Sequence, residues 1–137
     1  MFLADFHIHT NQSDGRMALH HVIDLFGERG FGAIAITDHL CDTRSLLGKA
    51  SRFLGCSLNE INFAQHMENI KRERDRAWQQ YGMVVIPGYE ITLNSISNHR
   101  SAHVLAIGID QYVSPDLPIE EFSHEIRSRG EIGRAHV

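Results

Sequence analysis

Residues 30–39 read GFGAIAITDH. Two glycines bracket a phenylalanine, a run of alanine and isoleucine follows, and the segment ends on Asp38 and His39. A short apolar run without polar alternation suits a strand covered on both faces, as in parallel sheets. Upstream, Leu19, Val22, Ile23 and Phe26 recur at helical spacing within residues 17–29, and the glycines at 30 and 32 end that run. Residues 2–9 (FLADFHIH) alternate, with Phe2, Ala4, Phe6 and Ile8 on one face and Asp5, His7 and His9 on the other. Strand, helix and strand make a βαβ unit with a right-handed crossover, so the chain reads as an α/β protein.

Residues 40–58 lack a clean period and predict a loop with a short helix. Ser57 and Glu60 form an S-x-x-E capping box that opens a helix to about residue 81. Phe63, Met67, Ile70, Arg74, Ala77, Trp78 and Tyr81 fall near one stripe of it, and the charged stretch KRERDR reads as a solvated outer face. MVVIPGYEITL, residues 83–93, predicts a third strand interrupted near its end by Pro87 and Gly88. HVLAIGI, residues 103–109, predicts a fourth. Only about a dozen residues separate Glu90 from His103, too few for a helical crossover, so the fourth strand should return antiparallel. SPDLPIEEFSHEIRSRG has the acidic start and basic end of a helix from about 118 to 129.

With 137 residues and 42% hydrophobic content the chain fits one modest domain with a real core. Its formal charge of −4 gives no footprint for duplex nucleic acid, while a small phosphorylated substrate remains compatible with it. Cys41 and Cys56 are too few for a disulfide framework, which predicts a reducing cytoplasm. No leader-like or membrane-spanning stretch is visible, and a membrane partner is not expected. Ten histidines are many for this length, and their placement is the informative feature.

In parallel α/β folds the chemistry sits beyond the carboxyl ends of the strands. His7, His9, Asp14, His39, Glu90 and His103 all fall at that end of the predicted elements. An H-x-H pair on a strand sends both imidazoles to one face about 6 to 7 Å apart at the backbone, close enough to converge on one cation. Carboxylates neutralise charge and can bridge neighbouring metals, and nitrogen and oxygen donors without obligatory sulfur fit Zn²⁺, Mn²⁺ or Fe²⁺. His20, His21, His66 and His124 lie on predicted helices and read as solvated structural residues. Cys41, close behind His39, reads as a small buried hydrophobe. In the loop NSISNHRSAH, His99 and Arg100 stand near the mouth; Arg100 is a candidate phosphate contact, with an ordinary surface loop the favoured reading.

In order, DFHIHTNQSDG, GFGAIAITDH, PGYE and SAHVLAIGI resemble the successive motifs of the PHP (polymerase and histidinol phosphatase) family, from about residue 3 to 130. The resemblance implies the N-terminal, truncated part of a distorted seven-stranded, TIM-barrel-like β/α barrel with a site for two or three divalent cations (Zn, Mn or Fe). It implies that His7, His9 and Glu90 hold one cation and Asp14 and His39 a second, with Glu90 bridging and His103 on a third. Asp5 and Asp38 would orient imidazoles from behind, their contribution to catalysis being indirect. The implied activity is that of a metal-dependent phosphoesterase acting through metal-activated water on a small nucleotide or a short RNA 5′ end. Histidinol-phosphate phosphatase is the alternative within the enzyme class, and a noncatalytic or proofreading PHP module of a DNA polymerase is the alternative outside it.

The family pattern continues with a GG…AHP strand motif and a later Asp-x-His pair. Ala135 and His136 imitate the first, with Val137 in place of proline. EIGRAHV, residues 131–137, is also the translation of the start of a common sequencing adapter, so the expected domain is 1–130 with 131–137 an assembly scar, and His136 is not counted as a ligand. Sequencing reads that continue past the Gly130 codon into a different strand are the expected result; a clean genomic stop after Val137 would contradict it. On this reading about four of seven strands are present, leaving an open sheet edge. The first cation then keeps three protein ligands, and the second and third keep two each.

Overall fold

A computed structural model of the chain describes residues 1–95, 100–128 and 132–136. Strand β1 (Ala4–Ile8), helix α1 (Leu19–Glu28) and strand β2 (Ala33–Ile36) form the expected parallel βαβ unit, with Ala4 opposite Ala33 and Ile8 opposite Ile36. All four residues of β2 are buried, as its continuous apolar run requires. Helix α1 stops at Arg29, and Gly30 follows with φ +76, a conformation that costs glycine least.

Strand β3 (His39–Cys41), helix α2 (Leu46–Phe53) and helix α3 (Glu60–Tyr81) come next. They are followed by β4 (Val84–Ser95), β5 (Arg100–Ile107), α4 (Ile119–Ser128) and β6 (Ile132–His136). The strand order is β1-β2-β4-β5-β6, with β3 also on β4. Strand β4 is long enough to hold two parallel partners in succession: β2 along Val84–Pro87, then β3 from Glu90 to Thr92. Between those partners the chain breaks at Thr37 and Asp38, both fully buried. Strand β5 returns antiparallel on β4, as the short connection dictates. Among the described residues the sheet has six strands against the roughly four read from the sequence, because β3 is too short to show a period and β6 falls in residues set apart from the fold. Among the described residues β1 and β6 remain the two ends of the strand order; Phe6 on β1 is 44% exposed and Phe2, just before that strand, 74%.

Three details differ from expectation. Pro87 and Gly88 do not interrupt β4: the Pro87 carbonyl accepts the Gly108 N–H at 2.8 Å, and Gly88 lets the Ala106 carbonyl of β5 approach. A Cβ at position 88 would stand 2.5 Å from that oxygen. Gly88→Ala is therefore expected to lower stability by about 1–3 kcal/mol, the usual cost of overpacking, read as a shift in the urea midpoint; an unchanged midpoint would show that β5 yields freely there. The box that opens α3 is Asn59 with Asn62, each side chain bonding the other's backbone N–H, rather than Ser57 with Glu60. Ser57 is engaged elsewhere, accepting the Cys41 N–H at 2.9 Å and donating to the Leu58 carbonyl. Finally, the buried stripe of α3 runs through Phe63, His66, Met67, Ile70 and Ala77, while Arg74 and Trp78 face solvent. His66 is 2% exposed, so the solvated role read from the sequence is overturned; helical spacing from Phe63 puts it in the apolar stripe.

Helix α3 closes at Gly82, whose φ of +64 is the left-handed conformation in which many helices end. Its stripe packs on a core that includes Ile23, Ile34, Ile36, Leu58, Met83 and Ile91. Phe63 stands edge-on to Tyr89 of β4 at 5.3 Å and to Tyr112 at 5.4 Å, which holds the first turn of α3 in place. No helix among the described residues is long and apolar enough to cross a membrane.

Candidate metal centre

The β1 alternation puts Ile8 into the core and His7 and His9 on the opposite face, with ring centroids 4.9 Å apart. The next turn brings Asp14 back so that its Oδ1 lies 2.7 Å from His9 Nδ1. His39 opens β3 directly opposite Glu90 of β4, and His103 of β5 stands opposite Thr92 of β4. The strand register thus assembles residues that are up to 96 positions apart, counting from His7 to His103. They line a cavity of about 380 Å³ formed by His7, His9, His39, Glu90 and His103.

Glu90 is the floor of this cavity, with its side chain only 2% exposed. Its Oε2 lies 3.1 Å from His7 Nε2, 3.1 Å from His9 Nε2 and 3.3 Å from His39 Nδ1, and its Oε1 lies 2.8 Å from His103 Nδ1. Toward solvent the side chains open up: His7 is 42% exposed and Asp14 58%. Three groups of three have their donor atoms within 4.8 Å of one another: His7, His9 and Glu90; His9, Asp14 and His39; His39, Glu90 and His103. Sharing of His9 and His39 gives the second and third groups one more candidate ligand than the sequence reading assigned. The donor set fits divalent cations, since imidazole nitrogens and carboxylate oxygens converge around a buried negative charge without sulfur.

The electrostatics follow from this crowding. Burial works against the Glu90 carboxylate, yet hydrogen bonds from His9 and His7 and the nearby His39 outweigh it and hold the group down at about 2. Burial likewise opposes a charged His9, but Glu90 and Asp14 on either side raise it to about 9. His39 is pushed down, first by burial and then by its charged neighbour His9. Asp14 is held low by His9 and His39 in spite of its partial burial. In the metal-free chain the raised His9 therefore stabilises the fold fully below pH 6.5, and that contribution is lost as pH climbs through about 9. The depressed Glu90 contributes above pH 4.5, and its share is lost as pH falls toward about 2. A cation entering the site must displace the His9 proton, so binding is expected to release protons and to weaken as pH falls. Calorimetric titration in buffers of different ionisation enthalpy measures this; heats that do not depend on the buffer would contradict it.

Asp5 accepts the His7 backbone N–H at 3.1 Å and so acts on the strand that carries that imidazole. Asp38 accepts the Thr10 N–H at 2.7 Å, the Thr10 hydroxyl at 2.8 Å and the Ser13 hydroxyl at 2.6 Å, and its Oδ2 lies 3.0 Å from His66 Nε2. Thr92, overlooked in the sequence, places its hydroxyl 2.8 Å from His39 Nδ1 and 3.5 Å from His103 Nδ1. Strand alternation from Glu90 would have put it on the same face. Cys41 is buried beside Ser57, and burial raises its thiol. His20, His21 and His124 are exposed, as expected. His99 and the side chains of Arg100 and His136 lie outside what the structure describes.

The family model described as PHP domain matches residues 5–125, and the chain belongs to that family. Among solved structures, a two-domain protein from Bacteroides vulgatus described as containing a predicted PHP-like metal-dependent phosphoesterase is similar, with a TM-score of 0.61 at 19% identity. The match covers 95% of this chain and 33% of that one, so the chain spans about a third of its length. A Bifidobacterium adolescentis protein, described as a candidate metal-dependent phosphoesterase, matches over 76% of this chain and 27% of its own, with 22% identity and a TM-score of 0.42. No curated protein gives a significant match.

Proposed function

We propose that the protein is a phosphoesterase that hydrolyses a phosphate ester of a small nucleotide or of a short RNA 5′ end. Two or three bound cations (Zn, Mn or Fe) would supply Lewis acidity and a water of lowered pKa. The observation that carries this reading is the convergence of four imidazoles on the single buried carboxylate of Glu90. Family membership and the fold shared with the Bacteroides vulgatus structure support it.

The chain's own residues have distinct duties in this account. Glu90, His9 and His39 form the enclosed part of the donor set, while His7 and Asp14 face the solvent side from which substrate would enter. Asp5 fixes the backbone at His7, and Asp38 acts on the turn between His9 and Asp14. No side-chain nucleophile is invoked: Thr92 is occupied with two imidazoles, and the raised thiol of Cys41 holds little thiolate. Arg100 is proposed as a phosphate contact from its place at the start of β5. The free thiols of Cys41 and Cys56 suit a reducing cytoplasm.

The test is phosphate release from a nucleoside 3′,5′-bisphosphate, a 5′-phosphorylated short RNA and histidinol phosphate, with Mn²⁺ or Zn²⁺ supplied to the chain and to a longer protein containing it. Cation-dependent turnover of a nucleotide or RNA substrate is expected. Turnover of histidinol phosphate alone would move the substrate assignment, and no turnover despite bound cations would overturn the enzyme reading.

A further inference from the structure

The buried pair formed by Asp38 and His66 has no donor role in the three groups described above. Asp38 is fully buried, and three of its contacts reach back to Thr10 and Ser13. Those two residues lie between His9 and Asp14, the two ligand candidates that must be held at a fixed separation. The fourth contact comes from the far side: His66 Nε2 of α3 stands 3.0 Å from Asp38 Oδ2. This is an ion-pair contact with poor hydrogen-bond alignment, and His66 Nδ1 has no hydrogen-bond partner among the described residues.

The position itself is an apolar one, flanked on its stripe by Phe63, Met67 and Ile70. An imidazole with one unpartnered nitrogen is a poor occupant for packing alone, because a buried polar atom without a partner costs about 1–3 kcal/mol. What the imidazole supplies and an apolar side chain cannot is a counterpart for a buried carboxylate. The Asp38 carboxylate accepts from Thr10 and Ser13 on the turn side and faces His66 on the other.

We propose that His66 is a positioning residue: by holding Asp38 from beneath, it fixes the turn 10–14 and sets Asp14 opposite His39 in the His9, Asp14 and His39 group. The inference rests on the metal-centre reading and adds to it a residue from a helix outside the cavity lining. It explains why Asp14, 58% exposed and on a turn, still stands 2.7 Å from His9 and 3.5 Å from His39. The His39, Glu90 and His103 group draws on strands β3, β4 and β5 and not on that turn, and the His7, His9 and Glu90 group shares only His9 with it, one residue past the end of β1.

The experiment is Mn²⁺ titration of the metal-free chain by calorimetry and electron paramagnetic resonance, for wild type, His66→Leu and His66→Gln. His66→Leu is expected to weaken one cation by roughly 10- to 100-fold, the usual effect of losing an outer partner, while the others stay within about twofold. His66→Gln, whose amide can reach the same carboxylate, should recover most of the loss. Uniform weakening of every cation, or no weakening in a folded His66→Leu chain, would overturn the proposal. Should His66→Leu fail to fold, Ser13→Ala removes a donor to the same carboxylate from the turn side; it must weaken the same single cation, and unchanged binding overturns the clasp. A wild-type chain that binds no Mn²⁺ would refute the metal-centre reading itself, and this inference with it.

Discussion

Glu90→Gln is expected to abolish tight cation binding at two of the three groups, those that Glu90 shares with His7 and His9 and with His39 and His103. Glutamine keeps the volume and one acceptor oxygen but removes the charge. In the native chain that charge is buried and faces four imidazoles, so it is the main reason a cation would prefer the cavity to water. The expected loss exceeds the roughly 100-fold upper range for residues that only support a ligand. Any cation-dependent hydrolysis should fall with it. Equilibrium dialysis against Zn²⁺ or Mn²⁺ reads the loss directly, and unchanged stoichiometry and affinity in the variant would remove Glu90 from the centre. The His9, Asp14 and His39 group lacks Glu90 and should keep a weakened site.

The second large effect is on the fold. Asp38→Ala leaves the Thr10 N–H, the hydroxyls of Thr10 and Ser13 and the His66 imidazole without their shared partner in a fully buried place. Removing one member of a buried charged cluster costs about 3–5 kcal/mol, a large share of the roughly 5–15 kcal/mol that holds a typical domain. Asp38→Asn keeps one acceptor for Thr10 or Ser13 and should cost less. Denaturant midpoints for the two variants check the order; equal and small shifts would mean that the turn finds other partners.

The strands that carry the site were legible because their cues are local. AIAIT announces a buried parallel strand, and FLADFHIH alternates so that His7 and His9 share a face. The antiparallel return of β5 followed from the short span between Glu90 and His103. What the sequence left obscure depends on non-local partners. Strand β3 exists because β4 extends past the end of β2 and needs a second neighbour there, a condition invisible in the residues HLC. Pro87 is tolerated in β4 because it stands at the end of both pairings: it is the last partner of β2, and the ladder with β5 begins at Gly88. His66 was misread because its polarity outweighed its position, although spacing from Phe63 and Met67 placed it in the buried stripe. Asp38 was expected to orient a ligand imidazole, whereas its contacts among the described residues reach the turn after β1 and His66 of α3, which no neighbouring residue signals.

The measurement that bears most directly on the account is the number of divalent cations bound per metal-free chain, titrated with Zn²⁺ and Mn²⁺ at neutral pH. The convergence of His7, His9, Asp14, His39 and His103 around Glu90 predicts more than one cation per chain, with the count reduced in Glu90→Gln. Absence of binding by a folded wild-type chain, or binding indifferent to Glu90, would contradict it.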